Sequence, residues 1–584
     1  MFLATTAKQE FWKPDEKILF LGEWCKLYGQ KNSWSRLDYE VHSYHWDDRA
    51  RFRRDCLESA VLYEQLLPEM VERLNAVHGT NHSLRYWRIV VGVWLRYLID
   101  VLRDRYLSIR TAIDSGKATL TWIAPGHPGK AVALDFATFS HWCKNDDFNL
   151  YLYSRITERL GGLPFEIRDI PLDLKPLKGV MVTPGWKGIV KTLMVKTGQW
   201  IPSSRNRVVF VASFFKPFQL MKLQRALGQL PYPFAPRVLA GNFEVDPNLR
   251  QKILLSQGGD EFESLVREFI PHFLPLCYLE GFQELNDRAL QTFPKNPRII
   301  VSANDFLGRD GFKFWAAHSV ERGAKLVAVQ HGGGYGSRLW STIEDHEIDV
   351  CDKYFSWGWD LENDSRVVPL SANKLVGLRQ KVRPDPKGYV LWVGMSPPRY
   401  TYLNFSGAGG PRVLDHIQDQ INFVKALPAQ IRGNLVMRMY PLEFGWNEYE
   451  RFHDLDPKLR LYRGPETMYA QLNKSRLCIC TNNSTTFLEC LATDFPTVVF
   501  WNPHHWELRG SAQPFFDDLV RAGVLHPTPE AAAKKVNEVY DDPLGWWMGK
   551  NVQDAVKKFC FRFARANGDW VEEWKEQLLK LMES

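Results

Sequence analysis

Residues 298–336 read RIIVSANDFLGRDGFKFWAAHSVERGAKLVAVQHGGGYG, and this stretch decides the fold. Two short apolar runs, 298–303 and 325–330, flank residues 311–322, which read as a helix. Strand, helix and strand in that order make a β–α–β unit, with parallel strands joined by a right-handed crossover. The alternation continues outward. Residues 17–22 (KILFLG), 208–212 and 352–356 read as further strands, and a second series begins at 389–393 and runs through 435–440, 477–481 and 497–501. Residues 57–77 have helical periodicity; residues 78–82 break it, and Ser83 is placed to cap the next helix. The region 115–206 is mixed, with Pro125, Gly126, Pro128 and Gly129 marking a loop near its start. Residues 372–387 lack apolar periodicity and carry Pro384 and Pro386, so the domain boundary is placed there.

This pattern predicts an α/β protein. Two Rossmann-like domains with parallel sheets face each other across a cleft, with extra helices in the first. Ligands then bind at the C-terminal ends of the strands. The expected divisions are an acceptor-side α/β domain with a helical insertion (1–380), a nucleotide-donor domain (381–545) and a helical tail (546–584).

Composition narrows the class. The chain has 584 residues, enough for more than one domain, and its 45% hydrophobic and 24% charged residues are those of a folded globular protein. The net charge of +7 is spread along the chain rather than gathered in a patch. That argues against a nucleic-acid partner and fits anionic small substrates or an anionic membrane surface. Nine cysteines without a C-x-x-C pair predict reduced thiols and no zinc framework. Cys478 and Cys480 alternate in an apparent strand and share one face. The start has no basic segment followed by an apolar run, and the apolar stretch 86–102 is interrupted by Arg88, Arg96 and Asp100. The expectation is a cytoplasmic protein with a buried helix there, and with peripheral contact on the cytoplasmic face of the inner membrane. The tail interleaves Trp546, Trp547, Phe559, Phe561, Phe563, Trp570 and Trp574 with Lys557, Lys558, Arg562 and Arg565. These aromatics are expected to pack back onto the first domain; an alternative lays part of the tail on an anionic bilayer.

Two loops carry the strongest chemical signals. Gln330, His331, Gly332, Gly333 and Gly334 follow a buried-looking strand. Successive glycines let backbone N–H groups approach a ligand, and an imidazole at a strand end suits proton abstraction from a hydroxyl. Residues 481–486 supply Asn482, Asn483, Ser484, Thr485 and Thr486 before a helix, where exposed amides and the helix dipole favour an anion. Glu489 follows in that helix, within reach of a ribose. Arg438 ends a strand and can fork onto phosphate. Ser396 and Arg399 follow the first strand of the second series, a position suited to donor contact. Glu23 and Asp47 are the acidic alternatives to His331 as base. The pair Asp454 and Asp456 lies in a polar loop and is read as chance, so no metal site is expected.

The segments FLATTAKQEFW, FLGEWC, YHWDDR, NHSLRYWRI, QHGGGYG, YFSWGW and RMYPLEFGW resemble, along essentially the whole chain, the transferase family encoded in bacterial O-antigen gene clusters. The QHG and STTFLE loops are more distantly similar to CDP-glycerol glycerophosphotransferases and capsule Kdo transferases. The resemblance implies a GT-B-like fold without a catalytic metal, the tail crossing back to the first domain. It implies that His331 is the base and that Ser484, Thr485 and Thr486 hold donor phosphate. Where those relatives have a His-Pro pair, this chain has Tyr440-Pro441, with Arg438 as the substitute.

The expected activity is glycosyl transfer from a nucleotide-activated donor, such as a CMP-linked acidic sugar, to a lipid-linked or lipopolysaccharide acceptor. No cofactor beyond the donor is expected. A polyol-phosphate transferase of the CDP-glycerol type, a nucleotide-sugar epimerase and a non-catalytic glycan-assembly protein are the alternatives.

Overall fold

The structure is a computed structural model that describes residues 1–126, 129–175, 207–231, 238 and 241–583. Pro128 and the part of the mixed region from 176 to 206 lie outside the described residues. Among the described residues the strands form three sheets, and every strand pair is parallel.

The first sheet contains β1 (Phe2–Ala4), β2 (Ile18–Phe20), β3 (Tyr39–Val41), β4 (Leu120–Ile123) and β5 (Phe165–Ile167), in the order β3-β2-β1-β4-β5. The second contains β6 (Val208–Val211), β7 (Ile299–Ser302), β8 (Lys325–Val329), β9 (Lys353–Ser356) and β10 (Val367–Pro369), in simple sequential order. The third contains β11 (Tyr389–Val393), β12 (Leu435–Arg438), β13 (Arg460–Tyr462), β14 (Ser475–Cys480), β15 (Thr497–Phe500) and β16 (Leu525–His526), ordered β13-β12-β11-β14-β15-β16. Residues 1–380 thus carry two sheets, and β10 and β11 are separated by residues 370–388. Of the first sheet, the sequence pattern marks β2 alone. Strands of three residues are too short to display an alternation.

Helices cover both faces of these sheets, which is why β6, β7 and β15 are mostly apolar and are buried along their whole length. The helices used below are α1 (Arg49–His78), α2 (Leu84–Asp114), α3 (Pro217–Ala226), α4 (Asp310–Glu321), α5 (Thr342–Val350), α6 (Glu448–Leu455), α7 (Thr485–Ala492), α8 (Lys550–Phe563) and α9 (Trp570–Glu583). Ser83 caps α2 by accepting from the N–H of Tyr86 at 3.1 Å. Helix α2 is buried on all sides, so its charged residues need partners inside the protein. Arg96 pairs with Asp349 at 2.7 Å, and Asp100 accepts from the backbone and side-chain nitrogens of Asn404, each at 2.9 Å. No helix among the described residues is long and apolar enough to cross a membrane.

Helix α9 completes the core of the second sheet. Trp570, Trp574, Leu578 and Leu581 pack with Val208, Phe210, Val301, Val329 and Phe355. The indole N–H of Trp574 also donates to Ser371 O at 2.9 Å. Trp547, Phe559, Phe563, Trp570 and Trp574 are buried, whereas Phe561 is 62% exposed.

Candidate functional site

The third sheet has the strand order of a doubly wound α/β fold, in which the order of strands reverses between β11 and β14. At such a switch point the two crossovers leave on opposite faces and open a crevice beyond the strand ends. The loops bordering this crevice are residues 394–400 and 481–484. Helix α7 begins there with Ser484 as its N-cap, and the Ser484 hydroxyl makes no capping hydrogen bond. The first amides of α7 are therefore free of a side-chain cap, in a place where the helix dipole favours an anion.

The glycine loop after β8 meets this helix start. The N–H of Gly333 donates to Thr485 Oγ1 at 3.0 Å. A Cβ on Gly333 would lie 2.2 Å from the carbonyl carbon of Ser484, so only glycine allows this approach. Gly334 has φ +86°, in the left-handed region. On either side the loop is stitched to the third sheet's domain. Asn483 Nδ2 donates to Ser337 Oγ at 3.1 Å, Arg338 Nη2 donates to Asn483 O at 3.0 Å, and the Leu339 N–H donates to Glu507 O at 3.0 Å. Gln330 braces the loop from below: its Oε1 accepts from Trp357 N and Trp359 Nε1, each at 2.8 Å, and its Nε2 donates to Gly332 O at 2.8 Å.

His331 sits at the edge of this junction, with its side chain 20% exposed. Its ring lies 6.2 Å from that of Phe214 and within 3.4 Å of the Tyr335 hydroxyl. Burial pulls its pKa down to about 4, a backbone contact with Ala303 opposes this, and the charge of Lys374 adds to the depression. A neutral imidazole at neutral pH follows. Glu347, on α5, is fully buried with a carboxyl oxygen 3.6 Å from His331 Nδ1. Burial, reinforced by Glu344, pushes its pKa well up, while the hydroxyls of Tyr354 and Tyr335 beside it pull the other way.

Lysines gather around the same crevice. Lys374 pairs with Glu489 at 3.0 Å, and the Tyr469 hydroxyl donates to the same carboxylate oxygen at 3.0 Å. Lys216 precedes α3; its pKa is lowered by burial and by Lys381 close by, with Glu489 as the opposing charge. Sequence reasoning passed over Lys216, Lys374 and Lys381, which stand on two segments far apart in the chain with no motif to join them. Glu347 was missed too, because nothing local distinguishes it from other helical carboxylates.

The remaining sequence candidates have these surroundings. Arg438 is held by Glu466 O at 2.8 Å and Gln471 Oε1 at 2.6 Å, and no described contact joins it to Ser484 or Thr485. Arg399 is buried at the junction of the first and third sheets. It donates to Asp146 at 2.6 Å, Trp24 O at 2.5 Å and Phe444 O at 2.9 Å, so its guanidinium is engaged by protein. Ser396 is buried near Glu448 at the start of α6. Asn482 is buried, and its carbonyl accepts from the N–H of Ser484 at 3.0 Å. Thr486 is half-buried in the first turn of α7. Glu23 pairs with Lys26 at 3.1 Å after β2, and Asp47 follows β3 near Arg412 and Arg49. Both belong to the crevice between the first and third sheets, and no described contact links either to His331. Asp454 accepts from Tyr28 and Lys31, each at 2.7 Å, which makes it a brace between domains.

Among the described residues, one group could meet on a metal ion: the buried Cys478, Cys480 and Cys490. The first two share one face of β14, with sulfurs 4.0 Å apart, and Cys490 reaches Cys478 from α7 at 3.6 Å. The set offers three ligands, one fewer than a structural zinc site takes.

No curated protein matches the chain. Among solved structures it is similar to MurG of Acinetobacter baumannii, with 12% identity, 67% of this chain and 96% of the other covered, and a TM-score of 0.32. The spinosyn forosaminyltransferase SpnP gives 12% identity, 65% and 100% coverage, and a TM-score of 0.33. The trehalose-6-phosphate synthase OtsA gives 11% identity, 58% and 80% coverage, and a TM-score of 0.32. A sequence-family model describing the LIC12162 family transferases matches residues 1–578, and the chain belongs to that family.

Proposed function

We propose that this transferase moves a sugar from a nucleotide-activated donor to an acceptor hydroxyl, working as a GT-B-like enzyme without a catalytic metal. The observation that carries the reading is the meeting of the His331 glycine loop with the uncapped start of α7 at the switch point of the third sheet. Donor phosphate lies against the Ser484 hydroxyl and the amides of Thr485 and Thr486, with Lys216, Lys374 and Lys381 supplying positive charge. The charge that develops on the departing nucleotide is stabilised by donors already in place. His331, neutral at working pH, accepts the proton of the attacking hydroxyl, and the buried Glu347 carboxyl lies beside the ring, 3.6 Å from Nδ1. The acceptor enters from the side of the second sheet, and Glu489 reaches the donor ribose.

A CMP-linked acidic sugar as donor and a lipid-linked or lipopolysaccharide glycan as acceptor fit the cationic crevice. Such an enzyme works at the cytoplasmic face of the inner membrane. Thermal-shift measurement with CMP, CDP, GDP and UDP nucleotides identifies the donor class, because a ligand bound only by the folded state raises its apparent stability. Nucleotide release that requires an acceptor supports transfer. Conversion of the donor with no acceptor present would replace this reading with epimerisation.

A further inference from the structure

Helix α3 leaves the His331 crevice and carries two exposed residues one turn apart on the same face, Phe218 and Lys222. Phe218 is 74% exposed, the opposite face of α3 is buried through Leu220 and Leu223, and Gln219 Nε2 anchors the helix to Val376 O at 2.6 Å. Facing it is the outer side of α8. That helix buries Val552, Val556, Phe559 and Phe563 and turns Lys557 and Phe561 outward. Lys222, Arg379, Lys557, Phe561 and Arg565 line one hollow of about 580 Å³ between the two helices.

The charge of this hollow is one-sided. Asp494 is its one acidic lining residue, and it is taken up by Arg379 at 2.7 Å, Trp547 Nε1 at 2.8 Å and Gln553 at 3.0 Å. Lys222 and Lys557 make no ion pair with a described residue. The Arg565 guanidinium lies 4.3 Å from the centre of the Phe561 ring, which leaves a cation on an exposed aromatic.

We infer that the α3–α8 face docks on an anionic phospholipid bilayer, with Phe218 and Phe561 entering the headgroup boundary and Lys222, Lys557 and Arg565 meeting lipid phosphates. Large exposed phenyl rings cost free energy in water and are stabilised at the acyl boundary, while unneutralised cations gain from the surface potential. A nucleic-acid duplex, its bases already stacked, would engage the cations and leave the phenyl rings in water. The position of the face adds a purpose that rests on the function proposed above. Phe214, against the His331 ring, precedes Phe218 by four residues, and a helix of ten residues such as α3 spans only about 15 Å. A lipid-linked acceptor embedded in that bilayer then stands at the mouth of the crevice.

The test uses the full chain with vesicles of phosphatidylcholine alone and of an equal mixture with phosphatidylglycerol. Sedimentation with the mixed vesicles only, weakening as salt rises, is expected. The double variant Lys222→Glu/Lys557→Glu should lose binding by roughly 30-fold or more, and Phe218→Ser/Phe561→Ser should also lose it. Both variants should keep the wild-type circular dichroism, melting temperature and nucleotide release with a soluble acceptor. No sedimentation, equal binding to neutral vesicles, or folded variants that bind like the wild type would overturn the proposal. So would a concentration-dependent dimer abolished by these substitutions, which would assign the face to a second copy. Vesicle binding without transfer to any acceptor would instead count against the glycosyltransferase reading and leave the docking surface standing.

Discussion

The backbone N–H of Gly333 donates to the hydroxyl of Thr485 at 3.0 Å, joining the loop after β8 to the first turn of α7. The contact fastens the second sheet to the third at the proposed reacting centre. Gly333→Ala places a methyl 2.2 Å from the Ser484 carbonyl carbon, and backbone cannot rotate away as a side chain can. The variant should lose about 1–3 kcal/mol of stability and bind donor nucleotide less tightly, as read by thermal unfolding and calorimetry. Unchanged values for both would show that the loops part freely.

His331→Ala should fold and bind nucleotide normally while transfer falls by about 10²–10⁴-fold. The wild-type pH profile carries a sharper test. The imidazole is useful as a base only when neutral, and its pKa is lowered to about 4 by burial, with Lys374 adding to the shift. The acid limb of kcat/KM should therefore lie near pH 4 rather than near the ordinary 6.5. Lys374→Ala removes a nearby positive charge and should move that limb upward.

Lys216→Ala and Lys374→Ala should each weaken nucleotide binding by about 1.5–3 kcal/mol, the usual worth of a hydrogen bond to a charged group. Nucleoside lacking phosphate should bind the variants and the wild type alike. An equal loss for the nucleoside would assign these lysines to scaffolding.

Glu448 gives a stability test with a definite sign. Burial, with the charge of Glu443, raises its pKa from 4.5 to about 8. Between those values the folded chain holds a proton that the unfolded chain has lost, so this residue's contribution falls as pH rises through the window. Glu448→Gln removes the titration. The variant should gain unfolding free energy over the wild type from about pH 5 to pH 8, on the order of several kcal/mol at full extent, read from denaturant unfolding across that range. A constant difference across that range would mean that Glu448 is solvated.

The parts legible in the sequence are those where one local pattern fixes one structure. Buried strands β6, β7, β8, β14 and β15 announce themselves as apolar runs because both their faces are covered. The loops carrying His331 and Ser484 stand out because successive glycines or hydroxyls have few other uses. The first sheet was hidden because Phe2–Ala4 and Tyr39–Val41 are too short to show a period. Arg399 reads like a donor contact from its position after β11, but its partners Trp24 and Asp146 lie more than 250 residues away and leave no local mark. Lys216 likewise joins Lys374 and Lys381 only when two distant segments converge.

Trp574 lies in the core of the second sheet and donates to Ser371 O. Trp574→Ala should cost about 3–5 kcal/mol and loosen β6 to β9 first, measurable as faster amide exchange in those strands than in β11 to β15.

The placement of α9 also fixes an order of events during synthesis. Val208, Phe210, Val301 and Phe355 leave the ribosome long before Trp570, Trp574, Leu578 and Leu581, which cover them. At ordinary elongation rates the wait is on the order of tens of seconds. Throughout it, one face of the second sheet is an open apolar surface on a tethered chain. The third sheet, threaded between the two halves of that core, must fold while its neighbour is unfinished. The nascent protein is thus a natural client for a holding chaperone, and stalled translation products that lack α9 are natural substrates for proteolysis.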